Sequence, residues 1–160
     1  MTVLQPLDTH VDVCPRASLI FDRVTFSYQG KHLLGPCSFT LQGAGPTLVM
    51  GPNGAGKSLL LRLAHGLLTP ASGRVHWLPQ RPRQAMVFQQ PVMLRRSAIA
   101  NLMHALAVNK TPRRQRQQLA EAALERFGLS RLARTPARVL SGGEQQRLAL
   151  ARAWVLARPW

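Results

Sequence analysis

Between Ser18 and Tyr28 apolar and polar residues alternate. Ile20, Val24, Phe26 and Tyr28 fall on one side of a period of two, with Asp22 as the exception, and the pattern predicts a strand. Tyr28-Gln29-Gly30-Lys31 reads as a hairpin turn. Cys37, Phe39 and Leu41 then alternate against Ser38 and Thr40, which predicts a second half-buried strand, broken by the glycines and proline of 43–46. Thr47-Leu48-Val49-Met50 is short and apolar, as expected of a strand covered on both faces in a parallel sheet. From Lys57 to Leu68 the apolar residues Leu60, Leu63, Ala64, Leu67 and Leu68 keep helical spacing, and Thr69-Pro70 is the expected stop. Residues 73–77 and 85–89 read as further strands. Helices are predicted over 97–108 and 112–127, the second with Thr111 as N-cap, Pro112 in the first position and Gly128 as stop. A last helical pattern follows Val139, while residues 1–17 have no period and read as an N-terminal extension.

At 160 residues with 46% hydrophobic content, the chain has material for one folded core and not for a disordered tail. Its charge is lopsided: 21 Lys and Arg against 6 Asp and Glu give a formal +15, and no acidic residue lies between Asp22 and Glu121. Such a field attracts polyanions, so nucleotide, nucleic acid and an anionic membrane surface all enter as partners, beside ordinary surface solvation by arginine. Cys14 and Cys37 have no metal-ligand spacing, which argues against a zinc site or a disulfide framework. The most apolar run, Ser58–Leu68, is interrupted by Arg62 and His65, so no transmembrane span is expected, and the N-terminus lacks the pattern of a signal peptide.

Two segments carry chemistry. Gly51-Pro52-Asn53-Gly54-Ala55-Gly56-Lys57-Ser58 fits G-x-x-x-x-G-K-[ST] between an apolar run and a helix. Glycines there let backbone N–H groups turn around phosphate oxygens, the helix N-terminus adds positive dipole, Lys57 reaches the β and γ phosphates, and Ser58 offers a hydroxyl to Mg²⁺. The bland reading is a Gly-rich strand-to-helix turn without a ligand. The second segment is Leu140-Ser141-Gly142-Gly143-Glu144-Gln145-Gln146-Arg147. Ser141 with Glu144 makes a capping box, and the glycines could serve only for unusual backbone angles. A capping box does not need Gly-Gly, however, and bare amides at a helix N-terminus are a second anion site.

Two such helix starts, in this order and at this separation, are where the sequence resembles the ATP-binding cassette (ABC) ATPases over about residues 18–160. Gly51–Ser58 is similar to their Walker A loop, and Leu140–Arg147 to their signature motif. The resemblance implies an α/β fold, a P-loop NTPase of ABC type with an antiparallel β subdomain, a partial RecA-like core and an inserted α-helical subdomain at about 92–140. It implies that Tyr28 stacks on adenine, and that Gln89, more than Gln90, is the Q-loop glutamine touching Mg²⁺ and the attacking water, so that Ser58 and Gln89 share the metal. It further implies that Leu140, Ser141, Gly142, Gly143, Glu144 and Gln145 act in trans on ATP held by a second ABC ATPase subunit. Transmembrane permease subunits, and indirectly a solute-binding protein, are the implied partners, on the cytoplasmic inner face of the membrane.

Two departures qualify this. Glu144 stands where many members have Gln, and since a carboxylate near a phosphate is unfavourable unless it faces away, the capping box is its expected role. More seriously, no acidic residue follows Glu144 and all five histidines precede Leu140, so the Walker B Asp, its catalytic Glu and the switch His are not among these residues. The expectation is a cassette lacking the C-terminal part of its core, hydrolysis-deficient by itself. Carboxylates in a missing part would also account for the +15, which makes nucleic acid the lesser partner. The leading reading is an importer subunit, the pattern at 85–102 looking like importers of small oxyanions such as tungstate, molybdate or phosphate. The alternatives are a soluble ABC ATPase acting on nucleic acid and a non-catalytic regulatory cassette.

Overall fold

A computed structural model describes residues 17–43 and 45–157. The expected extension therefore lies almost wholly outside the described residues, as do Cys14 and the last three residues. The chain divides into two compact units, one ending at Pro82 and the other beginning at Arg83.

The first unit is a three-stranded antiparallel sheet carrying one helix. Strand β1 (Ser18–Tyr28) lies between β2 (Lys31–Gln42) and β3 (Ser72–Leu78), giving the order β2-β1-β3. Tyr28 pairs with Lys31 across a turn in which Gln29 and Gly30 both have positive φ, 49° and 75°. That is the two-residue hairpin whose twist matches its flanking strands. Helix α1 (Lys57–Ala64) lays Leu63 into a core formed by Leu19, Phe21, Val24 and Phe26 of β1. Phe21 stacks on its cross-strand partner Phe39 with ring centroids 4.6 Å apart.

The buried face of β1 differs from the expected one. Leu19 and Phe21 are buried before Asp22, and Val24 and Phe26 after it, while Ile20 is half-buried and Tyr28 is 61% exposed. The cause is a bulge. Phe21 pairs with Phe39 and Val24 with Cys37, so Asp22 and Arg23 together face Ser38 alone. Arg23 takes φ 46° and donates its N–H to Ser38 Oγ at 2.8 Å. One extra residue switches the parity of the strand, and Asp22 was its mark in the sequence. Two glycines make room for it. A Cβ on Gly35 would fall on the Val24 carbonyl oxygen, and one on Gly73 would fall on the Asp22 and Arg23 carbonyls, both glycines having φ well above zero.

Two further expectations give way. Residues 47–50 and 85–89 form no strands, and no parallel sheet occurs among the described residues. A strand exists through its ladder, and nothing described pairs with 47–50; Leu48 and Met50 stand about four-fifths exposed, at 81% and 80%. Helix α1 also ends earlier than Thr69. Gly66 at φ 72° closes it, with the Leu67 N–H on the Arg62 carbonyl at 2.9 Å and the Gly66 N–H on the Leu63 carbonyl at 3.0 Å. That is a Schellman stop, reinforced by the Arg81 guanidinium on the His65 carbonyl.

The second unit packs α2 (Ala98–Val108), α3 (Arg113–Arg126) and α4 (Gly142–Ala157), with short 3₁₀ turns at Ser130–Leu132 and Ala137–Val139. Its core joins Leu102 and Leu106 to Ala120, Ala123, Leu124, Leu148, Ala151 and Val155. Gly128 at φ 66° stops α3 as expected. Thr111 does not cap that helix. It is buried, and its carbonyl accepts from Arg116 Nε at 2.8 Å, with no side-chain cap at the helix start. Ser97 caps α2, its Oγ accepting from the Ala100 N–H.

Two outcomes follow. Gly73→Ala forces a side chain onto backbone at a left-handed position, so it should cost the sheet unit at least about 2 kcal/mol in urea unfolding. Leu48→Ser with Met50→Ser should raise the soluble fraction of the expressed chain, measured by centrifugation and gel densitometry, because exposed apolar pairs drive association.

Candidate nucleotide site and signature helix

The loop from Gly51 to Gly56 is exposed and enters α1 without any capping side chain. Gly56, the N-cap, has φ 83°, and Gly54 has φ 85°. The first intrahelical bond runs from the Leu60 N–H to the Gly56 carbonyl at 2.9 Å, so the N–H groups of Gly56, Lys57, Ser58 and Leu59 have no acceptor in the helix itself. No acidic residue stands in the first turn. Gly56 also presses on β2: a Cβ there would meet Leu34 Cδ1 at 2.9 Å, which fixes the loop against the sheet.

Lys57 folds back over the loop, its Nζ donating to the carbonyls of Gly51 at 2.8 Å and Pro52 at 2.7 Å. Two of its three N–H donors thus brace the loop, and the ammonium stays beside the open first turn. This donor set suits a polyanion: unpaired amides, one fixed cation and the Ser58 hydroxyl, with no carboxylate to repel phosphate. ATP and its Mg²⁺ fit these residues. Tyr28 belongs to the same unit, and its 61% exposure leaves the ring free of the core packing that a strand aromatic usually has. Gln89 lies in the second unit, exposed, at a bend after the irregular segment 85–88.

Helix α4 starts differently. Glu144 Oε2 accepts from the Ser141 N–H and from Ser141 Oγ, both at 2.8 Å, and Ser141 Oγ accepts from the Glu144 N–H at 3.4 Å. The capping box is therefore closed in both directions. These two bonds from Ser141, side chain first, hold the Glu144 carboxyl below the usual carboxylate range, helped by the Arg147 charge against a small opposing effect of burial. Gln145 turns its Nε2 back to the Leu140 carbonyl at 2.8 Å and the Arg138 carbonyl at 3.4 Å, which anchors the segment before the helix. Leu140 is buried, whereas Ser141, Gly142 and Gly143 are exposed.

The glycine pair is not there for backbone angles. Neither Gly142 nor Gly143 has positive φ, a Cβ on Gly142 would meet nothing within 4 Å, and the nearest atom to one on Gly143 is Arg147 Nη1 at 4.0 Å. Among the described residues no packing asks for glycine at either position. What glycine leaves is a bare, exposed strip of backbone at a helix start, open to close approach from outside.

Comparison with known proteins decides the family. The ABC transporter family matches residues 34–159, which include both the Gly51–Ser58 loop and the start of α4. The chain belongs to the ABC transporter ATPase family. It is 35% identical, over 79% of its length, to the tungstate uptake system ATP-binding protein of Peptoclostridium acidaminophilum. It is 35% identical over 86% to a phosphonates import ATP-binding protein of Bradyrhizobium diazoefficiens, and 34% identical over 86% to a cytochrome c biogenesis ATP-binding export protein of Cupriavidus pinatubonensis. The chain spans 62%, 59% and 63% of those three proteins. Among solved structures it resembles cbiO1 of Clostridium perfringens, part of the ABC transporter complex cbiONQ, with a TM-score of 0.74 at 25% identity over 86% of this chain and 61% of that one. It also resembles an ATP-bound bacterial Atm1-family ABC exporter, with a TM-score of 0.77 at 25% identity over 98% of this chain and 30% of that one. The fold is thus the α/β P-loop NTPase fold of ABC type, a family that binds and hydrolyses ATP. Among the described residues no helix is long and apolar enough to cross a membrane.

Two side chains hold the signature unit in shape in a way the residue pattern did not single out. Asn101 is fully buried; it accepts from the Leu94 N–H at 3.0 Å and donates to the carbonyls of Leu94, Arg96 and Ser97. Its signal was present: it interrupts the apolar stripe of Ala98, Leu102 and Leu106 on α2. Gln145 is the other: the resemblance implies a role in trans for it, and in the structure its Nε2 bonds the Leu140 carbonyl.

Because the Glu144 carboxyl is held low, its contribution to stability is present above the usual carboxylate range and is lost as pH falls through the lowered value. The stability difference between wild type and Glu144→Gln, from urea unfolding, should therefore be constant near neutrality and shrink below about pH 4.

Proposed function

We propose that the chain is the ATP-binding subunit of an ABC importer for a small oxyanion. Nucleotide phosphates would rest on the N–H groups from Gly54 to Ser58, with Lys57 on the β and γ phosphates and Tyr28 against the adenine. Ser58 would offer its hydroxyl to Mg²⁺, which would supply charge neutralisation on the phosphates, and Gln89 keeps the Q-loop role that the family resemblance implies. Phosphoryl transfer relies on positioning and electrostatics, and the roles of these residues are to bind, orient and screen.

The observation that carries this reading is the uncapped first turn of α1 with Lys57 folded over it. The exposed Gly142-Gly143 strip supports the companion proposal that Leu140–Gln145 meets nucleotide held by a second ABC ATPase subunit. Permease subunits at the inner face of the membrane, and indirectly a solute-binding protein, complete the proposed assembly. The importer direction and the oxyanion class are supported by the tungstate and phosphonate names among the relatives; the cytochrome c biogenesis relative is an export protein by name and favours the other direction.

Equilibrium binding of a fluorescent ATP analogue with Mg²⁺ tests the site. Lys57→Ala removes a charge-assisted contact and should weaken binding by roughly 10- to 100-fold, with the far-ultraviolet circular dichroism unchanged. Unchanged affinity would remove the assignment. No carboxylate follows Glu144 among these 160 residues to hold Mg²⁺ or polarise water. The 160-residue chain by itself is accordingly proposed to bind Mg-ATP without turnover, and phosphate release at ordinary rates for the family would overturn that.

A further inference from the structure

The turn joining α2 to α3 gathers three cationic side chains, one on strained backbone and two at a helix start that disfavours positive charge. Lys110 sits at φ 60°, closing α2 with its N–H on the Ala107 carbonyl and the Thr111 N–H on the Leu106 carbonyl, both at 3.0 Å. Helix stops of this kind favour glycine, since a side chain strains the left-handed backbone. Arg113 and Arg114 then occupy the first two positions of α3, the positive end of its dipole, where carboxylates stabilise and cations destabilise. All three side chains are exposed, and among the described residues none of them makes an ion pair. Among the described residues no ion pair offsets the backbone strain at Lys110 or the charges of Arg113 and Arg114.

Beside them is an apolar residue the core does not use. Val108, at the end of α2, is 68% exposed, and His104 is exposed one turn earlier on the same helix. Exposed cations within six residues along the chain of an exposed aliphatic side chain match the chemistry of an anionic bilayer surface. Phosphate headgroups take the charges, and the acyl boundary takes the apolar group. A nucleic-acid backbone would use the cations and leave Val108 in water.

We propose that the α2–α3 turn is a contact surface for anionic phospholipid, formed by Val108, Lys110, Arg113 and Arg114. The contact is electrostatic and interfacial and inserts no helix. It needs no nucleotide and stands independently of the ATP reading.

The test is co-sedimentation of the full chain, without nucleotide, with vesicles of phosphatidylcholine alone or with roughly a third phosphatidylglycerol. Because the whole chain carries +15, a charge-matched control is essential. The triple variant Lys110→Gln, Arg113→Gln, Arg114→Gln is compared with Arg74→Gln, Arg95→Gln, Arg131→Gln, which removes three exposed arginines elsewhere. At about 1 kcal/mol per cation near the surface, the first triple should lose roughly a hundredfold in binding to the anionic vesicles. The control should lose less than about fivefold if its cations stay off the surface. Val108→Ser should weaken vesicle binding and leave binding to a short duplex DNA unchanged. The double variant Arg113→Gln, Arg114→Gln should also unfold at an equal or higher urea concentration than wild type, since it removes two cations from the positive end of the α3 dipole. Equal losses in the two triples, equal binding to neutral vesicles, or a Val108→Ser variant that binds like wild type would each overturn the proposal. So would DNA binding that depends on the turn while vesicle binding does not.

Discussion

No helix can satisfy the N–H groups of its own first turn, and the two candidate nucleotide-contacting segments, one in each unit of the chain, are both built on that deficit. At α1 the deficit is left open: Gly56 offers no capping side chain, the first turn has no carboxylate, and Lys57 is folded onto the loop carbonyls. At α4 the chain fills part of the deficit itself, with Ser141 and Glu144 bonding each other across the helix start. The first start is suited to hold an anion. The second is suited to present a rigid glycine strip to one.

Each start is fixed by its neighbours in the fold. Gly56 rests against Leu34 of β2, so the loop shares the rigidity of the bulged sheet, and that sheet depends in turn on Gly35 leaving room for the Val24 carbonyl and Gly73 for those of Asp22 and Arg23. The signature helix is held from behind by Gln145 on the Leu140 carbonyl, and the turn before α2 by four hydrogen bonds to the buried Asn101 side chain. A replacement without the Asn101 side-chain oxygen would leave the Leu94 N–H without its acceptor, at a cost of about 1–3 kcal/mol, while the three carbonyls each keep a backbone donor.

The α2–α3 turn shows the reverse relation between stability and role. A left-handed lysine and two arginines at a helix start weaken the turn they occupy, and Val108 beside them buries little. Residues that oppose local stability without internal compensation are informative because packing does not explain them.

The sequence by itself determined the loop, the capping box, the hairpin at Gln29-Gly30 and the end of α3 at Gly128. All of these are set by residues within a few positions of one another, through φ preferences and short-range hydrogen bonds. The Gly66 stop was equally local, but the apolar period runs on through Leu67 and Leu68 and hid it. Only the tertiary structure decided the buried face of β1, because a bulge is a relation between strands and its extra residue reverses every side chain beyond it. It also decided that residues 47–50, as apolar as any strand, form none. Composition can make a segment suitable for a sheet, but its backbone groups need hydrogen-bonded neighbours, and sequence pattern does not supply them.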